Sequence, residues 1–254
     1  DRPSRHDRQH SPGIASCCGA RRSCNRLHCD EPHGSGSRDD AGSRGGRRLF
    51  YAIAKGLLKI YFHLFYGFKV TGRENVPTVG AVIVVANHAS ALDPLALGAG
   101  CPRPLRFMAK AELFDNPVLA LILRGFRAFP VKRGQVDREA YRTSMEALRA
   151  GDALGIFPEG TRVAPEQKKL YKSGGAYLAT HVGCKVVPIA HDAGELWPRQ
   201  AFLKKSGTIT VSIGPAFDAT GMSEGEVNRR AEAWIEAEMH RISPHRYPDA
   251  SRNT

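Results

Sequence analysis

Several features that mark common classes of protein are missing from this chain of 254 residues. It has no run of about 18 uncharged apolar residues, which a helix needs to cross a bilayer, so we predict no simple spanning helix. It has neither a Walker-type loop nor a G-x-G-x-x-G turn, so nucleotide or dinucleotide chemistry has no support. Its first residues lack an apolar segment, so we expect no secretory signal peptide.

Cysteine is scarce and unevenly placed. Four of the six cysteines stand before residue 30, and the other two, Cys101 and Cys184, lie beside apolar runs. A small secreted protein would carry cysteines throughout its folded body, so we expect a reducing compartment. The Cys and His residues between positions 24 and 33 fit no strong zinc template, so we expect no metal site.

The chain is basic, and its first segment has an unusual composition. Residues 1–48 contain ten Arg, six acidic residues and no Lys, with almost no aliphatic side chains. Such a segment cannot bury enough surface to offset chain entropy, so we predict a disordered basic tail. The formal net charge of the whole chain is +12. This charge indicates nucleic acid, an anionic membrane surface or a phosphorylated or CoA-type substrate as partner.

Apolar and aromatic residues recur at helical spacing between Leu49 and Phe68. Lys55, Lys59 and His63 fall largely on another face, and aromatic residues combined with lysines are typical of helices in the membrane interface. We therefore predict an amphipathic interfacial helix over residues 49–70. A helix packed on the core of the domain is an equal alternative.

From Gly80 the pattern alternates between strands and helices. Ala81–Ala86 is a continuous apolar, mostly β-branched run of the kind that forms a buried strand. This alternation predicts one α/β domain over residues 71–242, with a mainly parallel sheet flanked by helices, followed by a disordered tail over 243–254. The other predicted strands are Leu105–Ala109, Ala128–Val131, Ala153–Phe157, Val186–Ala190 and Thr208–Ile213.

His88 directly follows the strand predicted over Ala81–Ala86. Ligands of open α/β sheets bind beyond the carboxyl ends of strands, so His88 stands where an active site is expected. A neutral imidazole can take the proton of a substrate alcohol as the alcohol attacks a carbonyl group. A carboxylate on the other ring nitrogen would fix the tautomer. Asp93 is the nearest candidate, in the first turn of a helix for which we predict Ser90 as the N-cap.

Two arginines follow other predicted strands. In the segment 157–162 (FPEGTR), Gly160 permits close approach of the backbone, and Arg162 offers a fork for phosphate or carboxylate. Arg133 follows the strand predicted over Ala128–Val131. Because a phosphate monoester carries nearly two negative charges, paired basic residues are suited to binding it.

Four sequence blocks resemble, in order, those of the glycerolipid acyltransferase family. They are the Asn-His-x-Ser-x-x-Asp segment at 87–93, the Gly…Phe…Arg block at 125–133, the segment at 157–162 and the Val-Val-Pro-Ile segment at 186–189. The similarity covers roughly Leu49 to Ile213. It implies that His88 is the base, that Asp93 is its partner and that Pro188 helps to shape the acyl site. The residues that it implies for binding the phosphorylated acceptor are Arg133, Glu159, Gly160, Thr161, Arg162, Lys110 and Lys172.

The resemblance also implies a reaction. A fatty acyl group would move from acyl-CoA or acyl carrier protein, acting as co-substrate, to the sn-2 hydroxyl of 1-acylglycerol-3-phosphate (lysophosphatidic acid), giving phosphatidic acid. No cofactor and no metal are expected. The expected partners are lysophosphatidic acid, the acyl thioester and an anionic membrane surface, and not nucleic acid. The expected location is the cytoplasmic face of the inner (cell) membrane.

Other functions remain open at this stage. The acceptor could be another lysolipid or glycerol-3-phosphate, and a non-catalytic basic lipid-binding module is the alternative from a different class. The Gly-Met-Ser-Glu-Gly segment at 221–225 matches the nucleophile pattern of serine hydrolases. However, Ser223 is better explained as the cap of the last helix, with Glu226 completing a capping box.

Overall fold

The computed structural model describes residues 39–132, 137–164, 167, 169–197 and 206–245. Two 3-10 turns, at 73–75 and 111–114, join some of the longer elements. The helices are α1 (Asp39–Phe65), α2 (Asp93–Gly100), α3 (Pro117–Gly125), α4 (Arg138–Arg149), α5 (Gly174–Val182), α6 (Ala193–Leu196) and α7 (Glu224–Ile242). The strands are β1 (Gly67–Thr71), β2 (Val82–Ala86), β3 (Leu105–Lys110), β4 (Phe129–Val131), β5 (Ala153–Ile156), β6 (Lys185–His191), β7 (Thr208–Ile213) and β8 (Phe217–Asp218).

The described strands form one sheet in the order β1-β7-β6-β2-β5-β3-β4, with β8 paired to β6. The block β6-β2-β5-β3-β4 is parallel throughout, as predicted. The sheet as a whole is mixed, because β7 and β8 each run antiparallel to β6, and β1 pairs in parallel with β7.

Hydrophobic cores cover both faces of the sheet. All five residues of β2 are buried, and they alternate between the two cores. Val82, Val84 and Ala86 face the core that includes Phe62 of α1 and the apolar side of α2. Ile83 and Val85 face the core formed with α4, α5 and α7. The buried strand at the centre of the sheet therefore agrees with the continuous apolar run in the sequence.

The first helix differs from the prediction at both ends. It begins at Asp39, inside the segment predicted to be a tail, and it ends at Phe65, so residues 67–71 form β1 instead of the end of a helix. Gly67 pairs with Thr208 of β7 so closely that a Cβ at Gly67 would collide with the threonine side chain. Residues 1–38 and 246–254, which include the Cys and His residues at 24–33, lie outside the described residues.

Helix α1 presents two apolar stripes. Tyr51, Leu58 and Phe62 lie on the side that packs against the rest of the domain; Phe62 is fully buried, and the Tyr51 ring meets the edge of Phe126. A second stripe, at intervals of three or four residues, is exposed: Phe50, Ile53, Leu57, Ile60 and Leu64. No helix in the described part of the chain is both long and apolar enough to cross a bilayer.

The last helix confirms the predicted capping box. The Ser223 hydroxyl accepts the backbone N–H of Glu226, and the Glu226 carboxylate accepts the backbone N–H of Ser223. Ser223 is thereby explained as a cap, which agrees with the interpretation against a serine nucleophile.

Candidate active site

His88 and Asp93 meet at the carboxyl end of β2. His88 Nδ1 lies 2.8 Å from Asp93 Oδ2, and the same oxygen accepts the backbone N–H groups of Ala89 and Ser90, each at 2.7 Å. Three donors therefore converge on this one oxygen. His88 Nε2, on the other side of the ring, faces away from Asp93.

The loop between β2 and α2 explains how residues five apart come into contact. The N-cap of α2 is Leu92 and not Ser90 as predicted. The Ser90 hydroxyl accepts the Leu92 N–H at 3.1 Å and donates to the carbonyl of Trp197 at 2.7 Å. Asp93 is the first residue of α2 and is fully buried. Its side chain reaches back over the loop to bind His88 and two loop amides.

Phe157 forms one wall of the site. Its ring stacks on the His88 imidazole with centroids 4.2 Å apart, and Phe107 stacks on its other side at 5.9 Å. Gly155, two residues earlier in β5, leaves room for the Phe107 ring, since a Cβ there would collide with it. The stacking limits rotation of the His88 ring. Phe157 lies in the 157–162 motif, but no signal in the sequence indicated a role for it.

The segment 157–163 holds the backbone of His88 from two directions. Glu159 Oε1 accepts the His88 N–H at 3.1 Å, and the Val163 N–H donates to the His88 carbonyl at 2.7 Å. Glu159 is buried, and this burial raises its pKa from 4.5 to about 7. The resemblance implies that Glu159 binds the phosphorylated acceptor. Its position against the His88 backbone favours support of the loop over contact with an anionic group.

Two of the predicted acceptor residues, Gly160 of this segment and Lys172, lie close together. Gly160 has a φ of +69°, and a Cβ there would lie 2.9 Å from Lys172 Nζ, so the ammonium group sits directly over Gly160. The backbone N–H of Lys172 also donates to the carbonyl of Pro158 at 2.9 Å. Glycine at 160 therefore serves both the left-handed turn and the close approach of the lysine.

The other predicted acceptor residues are placed in different ways. Thr161 and Arg162 are half-buried, and Arg162 immediately precedes Val163, which is bonded to the His88 carbonyl. Lys110 ends β3 and is exposed, with its Nζ 3.1 Å from Glu112 Oε1. Arg133 lies outside the described residues.

The structure reveals a further histidine that sequence analysis did not select. His191 ends β6 and is buried, and its Nε2–H donates to the Asn87 carbonyl at 2.7 Å. The Asn87 side chain in turn bonds the backbone N–H and carbonyl of His191, at 3.1 and 2.9 Å. The fourth sequence block stops at Ile189, so no motif pointed to His191. Pro188, in the same strand, is buried opposite Val85 of β2, and its role in an acyl site stays a prediction.

These contacts describe a site suited to proton transfer from a hydroxyl group. A carboxylate orients one nitrogen of an imidazole, an aromatic ring fixes its plane, and the second nitrogen remains for a reactant. Basic side chains lie on the neighbouring segment. The arrangement can activate an alcohol next to an anionic group.

Known proteins resemble this chain in sequence and in overall fold. A family model described as Acyltransferase matches residues 67–192. The chain is 37% identical to the 1-acyl-sn-glycerol-3-phosphate acyltransferase of Pseudomonas aeruginosa, over 70% of each chain. It is 30% identical to the protein of the same name from Bacillus subtilis, over 76% of this chain and 94% of that one. The crystal structure of the LPA acyltransferase PlsC from Thermotoga maritima superposes with a TM-score of 0.70 at 25% identity, covering 82% of this chain and 84% of that one.

Proposed function

Because this chain belongs to the acyltransferase family, we propose that it moves a fatty acyl group from acyl-CoA or acyl carrier protein to the sn-2 hydroxyl of 1-acylglycerol-3-phosphate. The product is phosphatidic acid, an intermediate of phospholipid biosynthesis. The proposal depends on one observation above all: the His88–Asp93 pair lies beside the 157–163 segment, where Lys172 approaches Gly160. The two bacterial relatives are named for 1-acyl-sn-glycerol-3-phosphate, and this supports the choice of 1-acylglycerol-3-phosphate as the acceptor.

The geometry supports a direct transfer. His88 Nε2 takes the proton of the acceptor hydroxyl as the hydroxyl oxygen attacks the thioester carbonyl, and Asp93 stabilises the imidazolium that forms. Collapse of the tetrahedral intermediate breaks the carbon–sulfur bond, and the His88 proton passes to the leaving thiolate. The Phe157 ring, stacked at 4.2 Å, holds the plane of the His88 imidazole during the transfer.

The acceptor phosphate is proposed to bind on the basic side of the site. Arg162 is adjacent to Val163, whose N–H donates to the His88 carbonyl, and the Lys172 ammonium group lies over Gly160 of the same segment. Arg133, Lys110 and the backbone around Thr161 complete the proposed acceptor site. A guanidinium group binds phosphate through two parallel hydrogen bonds, which also orients the acceptor hydroxyl.

We also propose that the enzyme works at the cytoplasmic face of the cell membrane. The exposed apolar stripe of α1, together with the exposed Val118 and Leu121 of α3, supports contact with the lipid interface. Close packing of Phe50 against Gly125 supports treating the two helices as one apolar surface. Cys101 and Cys184 are free buried thiols, which fits a reducing compartment.

An acyl-transfer assay of the full chain tests the proposed reaction. Purified protein is incubated with lysophosphatidic acid and either acyl-CoA or acyl carrier protein thioester, and phosphatidic acid is measured. We expect turnover with at least one donor, and His88→Ala should lower kcat by about 10²–10⁴-fold. The matched control is His181→Ala, an exposed position on α5, which should keep wild-type turnover.

Absence of product with both donors would contradict the proposal, and so would full activity of His88→Ala. A higher kcat/KM for glycerol-3-phosphate or for a lysolipid with a different headgroup would reassign the acceptor alone.

A further inference from the structure

Beyond the His88–Asp93 pair, the site contains a second buried imidazole. His191 and Asn87 are joined by three hydrogen bonds of 2.7 to 3.1 Å, which tie the end of β6 to the end of β2. Two of these bonds use the backbone of His191, so they do not require an imidazole. Only the bond from Nε2 uses the ring. A histidine here therefore calls for an explanation beyond the tether between strands.

The explanation lies on the other side of the His191 ring. Its Nδ1 faces Asp93 Oδ1 at 3.8 Å, and both side chains are fully buried. Neither of these two atoms has a hydrogen-bond partner within the described part of the chain. Buried polar atoms of this kind are almost always paired, because leaving one unpaired costs about 1–3 kcal/mol. These two unpaired atoms lie 3.8 Å apart, so a donor on one of them could serve the other.

The position of the protons follows from the partners. His191 Nε2 must carry a hydrogen, because the Asn87 carbonyl can only accept. Without a second proton, the Nδ1 lone pair would face a carboxylate lone pair. A proton on Nδ1, with an approach of under about 1 Å, gives both atoms a partner at normal distance.

We propose that His191 is a positioning residue for the catalytic pair: its Nδ1–H donates to Asp93 Oδ1 and holds the carboxylate so that Oδ2 faces His88. This proposal rests on the proposed function, in which His88 is the base. The three side chains then form a line, His88–Asp93–His191, in which each carboxylate oxygen serves a different imidazole.

The charges around His191 are compatible with a proton on both ring nitrogens. Asp93 faces it from α2, and Asp192 is the next residue, with its Oδ1 accepting the Thr210 N–H at 2.7 Å. Burial raises the pKa of the Asp192 carboxyl group, whereas the neighbouring His191 lowers it. β2 presents the Asn87 carbonyl, and β7 presents Val211 as the paired residue. A cationic His191 would thus lie against at least one carboxylate.

Two substitutions of His191 separate positioning from tethering. Asn places its amide nitrogen close to the position of Nδ1, whereas Gln places its amide nitrogen close to the position of Nε2. His191→Asn therefore keeps a donor toward Asp93, and His191→Gln keeps the bond to Asn87. We expect His191→Gln to lower kcat about tenfold or more, with KM values within about threefold of wild type, and His191→Asn to keep kcat within about threefold.

The controls are His181→Asn and His181→Gln on the exposed face of α5, which should both match wild type. Thermal unfolding checks that the His191 variants fold, which the two remaining backbone bonds to Asn87 should ensure. Wild-type kcat in His191→Gln would overturn the proposal. Equal losses of kcat in both variants, or a larger loss in His191→Asn, would also overturn it. Turnover would then depend on the ring's bond to Asn87 or on the volume of the ring, and not on the donor toward Asp93.

An NMR measurement, which needs no turnover, determines whether His191 Nδ1 carries a hydrogen. In ¹⁵N-labelled full-length protein, the His191 resonance, identified by its loss in His191→Asn, should show hydrogens on both ring nitrogens near neutral pH. The same signal should persist in His88→Ala. A resonance with a single hydrogen would overturn the proposal. If the wild-type protein transfers no acyl group, the proposed function fails, and this spectrum still tests the proton on Nδ1.

Discussion

At the scale of single residues, the site depends on how Asp93 is held. Its Oδ2 accepts His88 Nδ1–H and two loop amides, so the carboxylate shapes the loop and orients the base at the same time. A neutral amide at position 93 could still accept the loop N–H groups through its oxygen. It would offer no charge to stabilise the His88 imidazolium, and it could favour the wrong tautomer.

Asp93→Asn should therefore lower kcat by about 10²–10⁴-fold while KM for both substrates changes little. Steady-state kinetics at several concentrations of each substrate separate the two parameters. Asp115→Asn, at an exposed position before α3, should behave like wild type. Activity of Asp93→Asn within about threefold of wild type would mean that His88 does not need this carboxylate.

Glu159 is a second buried carboxyl group, with a different task. Burial raises its pKa to about 7, above its ordinary value of 4.5, so the folded protein retains the proton at pH values where the unfolded chain has lost it. The folded state is therefore progressively destabilised as the pH rises from about 5 to about 7, and the loss is complete above the folded pKa.

Glu159→Gln keeps an oxygen for the His88 N–H and removes this titration. The free energy of unfolding of the variant should match that of wild type near pH 5 and exceed it by roughly 1–3 kcal/mol near pH 8. Urea denaturation at pH 5, 6, 7 and 8 measures the difference. Glu74→Gln, which changes an exposed carboxylate, serves as the control. A constant difference across this pH range would contradict the assignment.

At the scale of secondary-structure elements, β5 supports the base through a stack of aromatic rings. Phe107 of β3 fills the space over Gly155 of β5 and stacks on Phe157, and Phe157 stacks on His88. A side chain at position 155 would push Phe107 out of place, and the displacement would pass to the imidazole. The packing of two neighbouring strands thus controls the orientation of the base.

Gly155→Ala should reduce both stability and turnover. We expect a loss of about 1–3 kcal/mol in the free energy of unfolding from overpacking, and a lower kcat because the ring stack is displaced. The control is Gly98→Ala in α2, where an added Cβ meets no atom within 4 Å and should not destabilise the protein. Unchanged kcat in a destabilised Gly155→Ala would show that the stack does not orient His88.

At the scale of the whole molecule, the order of the strands brings residues from distant parts of the chain together at the site. β2 lies between β5 and β6, so His88, Glu159 and His191 meet at one edge although 103 residues separate the first from the last. The formal charge of +12 and the exposed stripe of α1 are also properties of the whole surface. Together they support the proposed contact with an anionic lipid interface.

Binding to lipid vesicles tests this surface. Leu57 and Leu64 are 62% and 74% exposed, and the double substitution Leu57→Gln/Leu64→Gln should weaken binding to vesicles of mixed zwitterionic and anionic lipid about tenfold or more. Val79→Gln, at an 81% exposed apolar residue in the loop before β2, should bind like wild type. Raising the salt concentration should weaken binding of all three proteins, because the basic surface also contributes. Equal binding of the double variant and wild type would exclude the α1 stripe as the contact.

Much of the fold followed from the sequence alone, because its causes are local. Buried β-branched runs predicted the central strands, with β7 correct to the residue, and the Ser223 capping box predicted the start of α7. The short strands β1 and β8 were not predicted, nor was the start of α1. β1 and β8 exist through pairing with β7 and β6, and pairing with a distant segment leaves no periodic signal in a short stretch of sequence.

For the site, the sequence by itself determined the family and selected His88 and Asp93 as the proposed base and its carboxylate, because these residues lie within contiguous blocks at strand ends. Only the tertiary structure decided that Glu159 supports the His88 backbone, that Phe157 stacks on the imidazole and that His191 faces Asp93. These contacts join separate strands and helices. Which atoms meet there depends on strand order and side-chain packing, and spacing along a single chain does not encode either.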